Sequence, residues 1–242
     1  MVIHRIRRRI VERFMTFEPI GLLLFASLAG GLFLFASLTG LVLDGGMHSF
    51  DEMILLSLRK AGDLAVPIGP NWLTHAVGDI TALGGVTVLS LMTVLATIYL
   101  LLARQRAIAV FMLFSIIGGW LVSSLLKLGV ARPRPDIVPH LVEVHDLSFP
   151  SGHAMLSAVT YMTLGALLSR AEQYRSTRIF LIAAGILLTL MIGMSRIYLG
   201  VHYPTDVLGG WCAGATWAVA CWIVARRFIS SRPDPVEAPA AH

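Results

Sequence analysis

Six uncharged, mostly apolar runs, bounded by charged residues, organise the chain: 20–43, 80–103, 107–126, 154–169, 179–195 and 207–225. A transmembrane helix needs roughly 20 predominantly apolar residues. The first three runs reach that length unaided. The last three are shorter, and each is extended by a polar motif at its end: 150–153, 195–196 and 204–206. Those motifs are therefore expected at membrane–water boundaries. The pattern predicts an all-α integral membrane protein with six transmembrane helices. Residues 50–61 mix Ile54, Leu55, Leu56 and Leu58 with Asp51, Glu52, Arg59 and Lys60. They are too charged to span, and read either as a short interfacial helix between the first two spans or as a surface loop.

Composition supports this picture. Hydrophobic residues make up 56% of the 242 and charged ones 14%, with a mean hydropathy of +0.77. A soluble domain of that make-up would expose a large apolar surface, and disorder is excluded for the same reason. One domain over 1–228 accounts for the spans, and the Pro- and Ala-rich residues 229–242 are expected to form a disordered cytoplasmic tail. The formal charge is +5, but it sits at span ends rather than in a nucleic-acid-binding stripe. Cys212 and Cys221, nine residues apart in one apolar run, cannot bridge within a helix. The Arg-rich N-terminus leads into a run longer than a signal-peptide core, so it reads as an uncleaved first span.

Basic residues also set the orientation. Arg5, Arg7, Arg8, Arg9 and Arg13, then Arg104 and Arg106, then Arg170, Arg175 and Arg178, then Arg226, Arg227 and Arg232 all fall on one side of a six-span layout. That side is the cytoplasm by the positive-inside rule. Both termini are then cytoplasmic, in a bacterial-type inner membrane. The opposite side receives 44–79, with Asp44, Asp51, Glu52, Asp63 and Asp79 against Arg59 and Lys60. It also receives 127–150 and 196–206.

Three polar clusters lie on that outer side: Lys127 through Arg134-Pro135, Pro150-Ser151-Gly152-His153, and Ser195-Arg196 followed by His202 and Asp206. Lys127, Arg134 and Arg196 are cations suited to phosphate oxygens. Ser151 and Gly152 open the fourth span, where backbone N–H groups and the helix dipole favour an anion. Singly, Lys127 and Arg196 would read as snorkelling interfacial residues and the histidines as interfacial polar residues. Their convergence on one face argues for a site.

The clusters resemble the type 2 phosphatidic acid phosphatase superfamily, whose three motifs are Lys-x6-Arg-Pro, Pro-Ser-Gly-His and Ser-Arg-x5-His-x3-Asp. All are present in order over 127–206. The resemblance implies a phosphohistidine on His202 and a hydrogen bond from its ring to Asp206. It also implies that His153 protonates the leaving group and then activates water. Its spacing selects Arg134 over Arg132, leaving Arg132 as a supporting or surface cation, with contact to the substrate left open. Implied too are a lipid phosphate substrate presented by the membrane, no cofactor, no metal and no obligate protein partner. Undecaprenyl pyrophosphate is the first choice of substrate, with phosphatidic acid, phosphatidylglycerophosphate and lipid A phosphate close behind. Vanadium haloperoxidases and glucose-6-phosphatase share the motifs, so they leave open a lipid phosphotransferase using the same phosphohistidine. A transporter lined by the charges is the non-enzymatic alternative. His4, His48, His75, His140, His145 and His242 match no motif. Trp72 and Trp211 are expected in the outer aromatic belt and Trp222 in the inner one.

Overall fold

The computed structural model describes residues 19–228 apart from His145. The N-terminal arginines, Arg232 and the 229–242 tail lie outside those residues, as do His4, His145 and His242. The helices are α1 (Pro19–Leu43), α2 (His48–Ser57), α3 (Asn71–Ala82), α4 (Val86–Leu102), α5 (Arg106–Val130), α6 (Gly152–Ala171), α7 (Arg175–Tyr198) and α8 (Pro204–Phe228). Between α2 and α3, β1 (Arg59–Lys60) and β2 (Asp63–Pro67) pair antiparallel.

Four helices, α1, α5, α7 and α8, are long and apolar enough to cross a membrane, and the pair α3–α4 makes a fifth candidate if counted as one bent span. The fourth predicted run, 154–169, which becomes α6, does not qualify by composition. The reason is its position. It packs against α5, α7 and α8 and buries Ser157, Thr160 and Thr163 together with Ala154, Met155 and Val159. A helix enclosed by protein need not be greasy on every side. By contrast, α1 leans mainly on α8 and leaves Leu23, Phe25 and Phe33 about two-thirds exposed, as a lipid-facing helix does.

Small residues bring the central helices together. A Cβ at Gly210 or Gly214 of α8 would stand 2.6 Å from the carbonyl oxygens of Ser151 and Met155. The backbones approach too closely for any side chain there.

Two other sequence expectations change. The run 80–103 is not one helix: α3 and α4 meet at 45° across Leu83-Gly84-Gly85. The Leu83 carbonyl accepts a hydrogen bond from the Tyr161 hydroxyl at 2.8 Å, which satisfies the backbone the break exposes. The 50–61 segment is helical only to Ser57 and then turns into the ribbon, and its Asp51 is fully buried.

Local signals place the motifs at one end of the bundle. α5 stops at Ala131, whose φ of 51° is left-handed, and Pro133 and Pro135 prevent further helix. α6 begins at Ser151, whose Oγ accepts from the Ala154 N–H at 3.5 Å. α7 ends in a turn through Gly200 at φ +76°, a conformation that glycine adopts without strain. The Ser151 N–H donates to the Asp206 carbonyl at 2.9 Å, tying the start of α6 to that of α8.

Candidate active site

A cavity of about 410 Å³ opens at this end. Lys127, Arg134, Gly152, His153, Arg196 and His202 all line it. These residues come from the end of α5, the 131–151 link, the start of α6, the end of α7 and the 199–203 link. Ser151 and Asp206, also predicted, do not line it. Ser151 is buried as the cap of α6, and Asp206 is buried behind His202.

His202 is the pivot. Its Nε2 lies 3.1 Å from Arg134 Nη1. A guanidinium only donates, so Nε2 accepts and the proton of the neutral ring sits on Nδ1. Nδ1 faces Ser148 Oγ at 3.4 Å and Asp206 Oδ2 at 3.5 Å. Ser148 Oγ itself donates to Asp206 Oδ2, and the Tyr203 N–H donates to the same oxygen at 2.8 Å. Burial lowers the His202 imidazole to about 4, against the opposing pull of Asp206. The ring is therefore neutral near pH 7, with the Nε2 lone pair on the cavity side and engaged by Arg134.

Behind Asp206 stands Arg132. It donates from Nη1 to Asp206 Oδ1 at 2.6 Å and to Thr205 Oγ1 at 2.8 Å, and from Nη2 to Asp51 Oδ2 at 2.8 Å. Its guanidinium lies 4.1 Å from the centre of the Tyr203 ring. Asp51 also accepts from the Thr205 N–H at 3.0 Å and the Thr205 hydroxyl at 2.5 Å. Arg132 is thus neither a surface cation nor a cavity residue. It holds Asp206.

The cavity cations are arranged differently. Lys127 Nζ pairs with Asp146 and donates to the Leu147 carbonyl at 2.7 Å. Arg134 pairs with Asp146 through Nη2 and donates to the carbonyls of Asp146 and Val201 at 2.7 and 2.6 Å. Burial alone would raise the Asp146 carboxyl, but Lys127 and Arg134 outweigh it and hold it at about 2. Arg196 donates to Thr81 Oγ1 at 3.1 Å, while its buried Nε has no partner among the described residues. A buried unpaired donor beside a cavity calls for an acceptor there. At Gly152 a Cβ would stand 3.6 Å from Lys127 Cε, in ordinary van der Waals contact.

The sequence singled out neither Asp51, Thr81, Asp146, Ser148 nor Thr205. Asp146 and Ser148 lie just ahead of the Pro-Ser-Gly-His motif and Thr205 lies within the third, so proximity was the available signal. Asp51 and Thr81 had none. Trp211, expected in an aromatic belt, instead packs against α7 and donates to the Thr189 carbonyl at 3.1 Å. Trp72 is exposed, and Trp222 stacks beneath Arg170 at 5.2 Å. His140 bonds the Pro135 carbonyl at 2.7 Å and His48 pairs with Glu52 at 3.0 Å. Among the described residues no group of three His, Cys, Asp or Glu side chains is placed to hold a metal ion.

The PAP2 superfamily profile matches residues 108–230. The phosphatidylglycerophosphatase B of Bacillus subtilis is 32% identical over 200 residues, covering 82% of this chain and 90% of that protein. An undecaprenyl-diphosphatase of Sulfolobus acidocaldarius is 31% identical over 121 residues, 48% of this chain and 54% of that one. Among solved structures, the PAP2-type phosphatidylglycerolphosphate phosphatase of Bacillus subtilis superposes with a TM-score of 0.75 at 25% identity, covering 87% of this chain and all of that one. Aquifex aeolicus LpxE gives a TM-score of 0.51 at 27% identity, over 66% of this chain and 88% of that one.

Proposed function

The chain belongs to the PAP2 superfamily and is a membrane lipid phosphatase of that type, and from this premise we propose that it removes the terminal phosphate of a lipid phosphate through a phosphohistidine on His202. The observation that carries the reading is the polarity of that ring. Nε2 faces the cavity beside Arg134, while Nδ1 is backed by Ser148 and Asp206.

In the first step His202 Nε2 attacks phosphorus, and Arg134 Nη1 passes from Nε2 to a phosphate oxygen. The bond from phosphorus to the leaving oxygen breaks as His153 supplies its proton. In the second step His153 takes a proton from water, the water oxygen bonds phosphorus, and the bond to Nε2 breaks. Lys127, Arg134, Arg196 and the backbone at Gly152 stabilise the charge on the equatorial oxygens. Ser151 contributes by capping α6, and Asp206 by fixing the His202 tautomer. With three cations in place, the chemistry needs no metal.

The layout we favour has six crossings, with α6 as the one shielded from lipid and α3–α4 as a bent one. At 1.5 Å per residue a 20-residue helix reaches about 30 Å. Residues 1–228 then form one domain. The arginine-bearing links at 104–106 and 170–178 face the cytoplasm of a bacterial inner membrane, and the motif end faces out. Val86, Trp120 and Leu156 also line the cavity, which suits a substrate with an apolar tail. Phosphatidylglycerophosphate is supported by the relative matched over 90% of its length. Undecaprenyl diphosphate and lipid A phosphate have support over about half of theirs. Phosphatidic acid shares the same headgroup chemistry.

The test is phosphate release from a panel of these lipids in detergent with chelator present, comparing wild type with His202→Ala and His153→Ala. His202→Ala should be inactive on every substrate and form no phosphoenzyme. His153→Ala should lose about 10²- to 10⁴-fold on an alkyl phosphate and recover partly on a nitrophenyl ester, whose leaving group needs no proton. A phosphoenzyme in His202→Ala, or strict dependence on an added divalent ion, would overturn the mechanism.

A further inference from the structure

Resting on the phosphatase reading above, we propose that Asp146 is an internal competitor for the phosphate site: its carboxylate exchanges with the phosphate group of the substrate and helps displace the phosphate product.

Geometry carries the argument. One carboxylate oxygen of Asp146 pairs with Lys127 Nζ and the other with Arg134 Nη2. These are two of the three cations that line the cavity, and the oxygens of a phosphoryl group would engage the same two donors. A carboxylate presenting two oxygens to two cations is the closest side-chain analogue of a phosphate edge.

Exposure separates the partners. The side chains of Lys127 and Arg134 are 11% and 10% exposed, whereas that of Asp146 is 61% exposed. The cations are fixed by their surroundings: Lys127 by the Leu147 carbonyl, Arg134 by the Val201 carbonyl and His202. The carboxylate stands on the solvent side of a link between helices, so it is the partner free to swing away. Ion pairs with one exposed member are weak, which is what an exchangeable contact requires.

Charge points the same way. Lys127, Arg134 and Arg196 present three positive charges to a phosphate dianion. Hydrolysis leaves inorganic phosphate among those cations, where it would remain bound and inhibit. A carboxylate tethered beside the site offers the cations an alternative partner at high effective concentration. It therefore weakens the binding of every phosphate by a common factor and shortens the stay of the product. Such weakening of ground-state binding need not slow the chemical step, because it lifts bound states that would otherwise be too stable.

The experiment compares wild type with Asp146→Asn and Asp146→Ala in detergent, using inorganic phosphate as the probe. Its inhibition constant against hydrolysis of a lipid phosphate should fall by about five- to tenfold in both variants. KM should fall in the same direction, and phosphate should raise the melting temperature more than in wild type. An unchanged or weaker inhibition by phosphate, with kcat reduced instead, would overturn the proposal and make Asp146 a residue that merely positions Lys127 and Arg134. If wild type releases no phosphate from any lipid phosphate, the functional reading has failed. The melting shift caused by inorganic phosphate, wild type against variant, then still decides the role of Asp146.

Discussion

Behind His202, Asp51, Ser148, Thr205 and Asp206 are all fully buried, and the Arg132 guanidinium ties Asp51, Thr205 and Asp206 together. In front of it, Lys127, Arg134 and Arg196 border open space, the Asp146 carboxylate that pairs with the first two is largely exposed, and Arg196 Nε has no partner among the described residues. Arg132 and Arg134 are two residues apart, and each precedes a proline. One is committed to the protein and the other to the cavity. The lesson is a division of labour: enclosed charges fix the imidazole, and charges bordering the cavity face the space where we propose the phosphate binds.

If the division is sound, the rear wall should register in stability and the front wall in rate. The largest effect is expected at Arg132→Ala. It strands two buried carboxylates, which costs about 3–5 kcal/mol, read as a lower denaturation midpoint in detergent. Arg132→Lys should recover only part, because an ammonium lacks the fork that spans two acids. Normal melting with lost turnover would break the comparison. Arg134→Ala should do the opposite. kcat/KM should fall by about 10²- to 10³-fold, as when one preorganised donor to a developing charge is removed, with little change in melting. A large melting shift would place Arg134 in the rear wall.

The smallest effect concerns pH. The His202 proton affinity is held down from 6.5 to about 4. Between those values the unfolded chain takes up a proton that the folded one refuses. Stability should therefore decline as pH falls through that window, and turnover of a nitrophenyl ester should fall as the ring finally protonates near pH 4. Asp146, held at about 2 in the folded protein, stays charged in that window and should not affect turnover there; its own contribution to stability fades only as pH approaches and passes below the unfolded value of 3.8. A rate that falls with a midpoint near 6.5 would show that the ring is not shielded.

Much of the candidate site was legible because its residues are of few types at fixed spacing. Lys127, Arg134, His153, Arg196 and His202 do share one cavity. The support behind it was not legible. Asp51 lies in a segment of mixed charge, and nothing in that pattern distinguishes the acid that turns inward from Glu52 beside it. Arg132 and Arg134 look alike until tertiary contacts separate them. Helical runs were readable from hydropathy, but the Leu83-Gly84-Gly85 break was not. Glycine is common in membrane helices, and only the Tyr161 hydroxyl on the Leu83 carbonyl marks the break as built in. The polar content of α6 lowers its hydropathy for the reason that makes it central: its neighbours are helices on most sides.

The cluster of Asp51, Arg132 and Asp206 also carries a consequence for biosynthesis. Its members belong to the first third, the middle and the last helix of the chain. Synthesis proceeds from the N-terminus, so Asp51 and Arg132 emerge well before the second acid exists. Until α8 enters the membrane, Asp206 and the Thr205 hydroxyl are missing from the cluster. A chain truncated before α8 would retain an unfinished charged cleft at the membrane surface, a mark by which quality-control proteases could tell it from the finished protein.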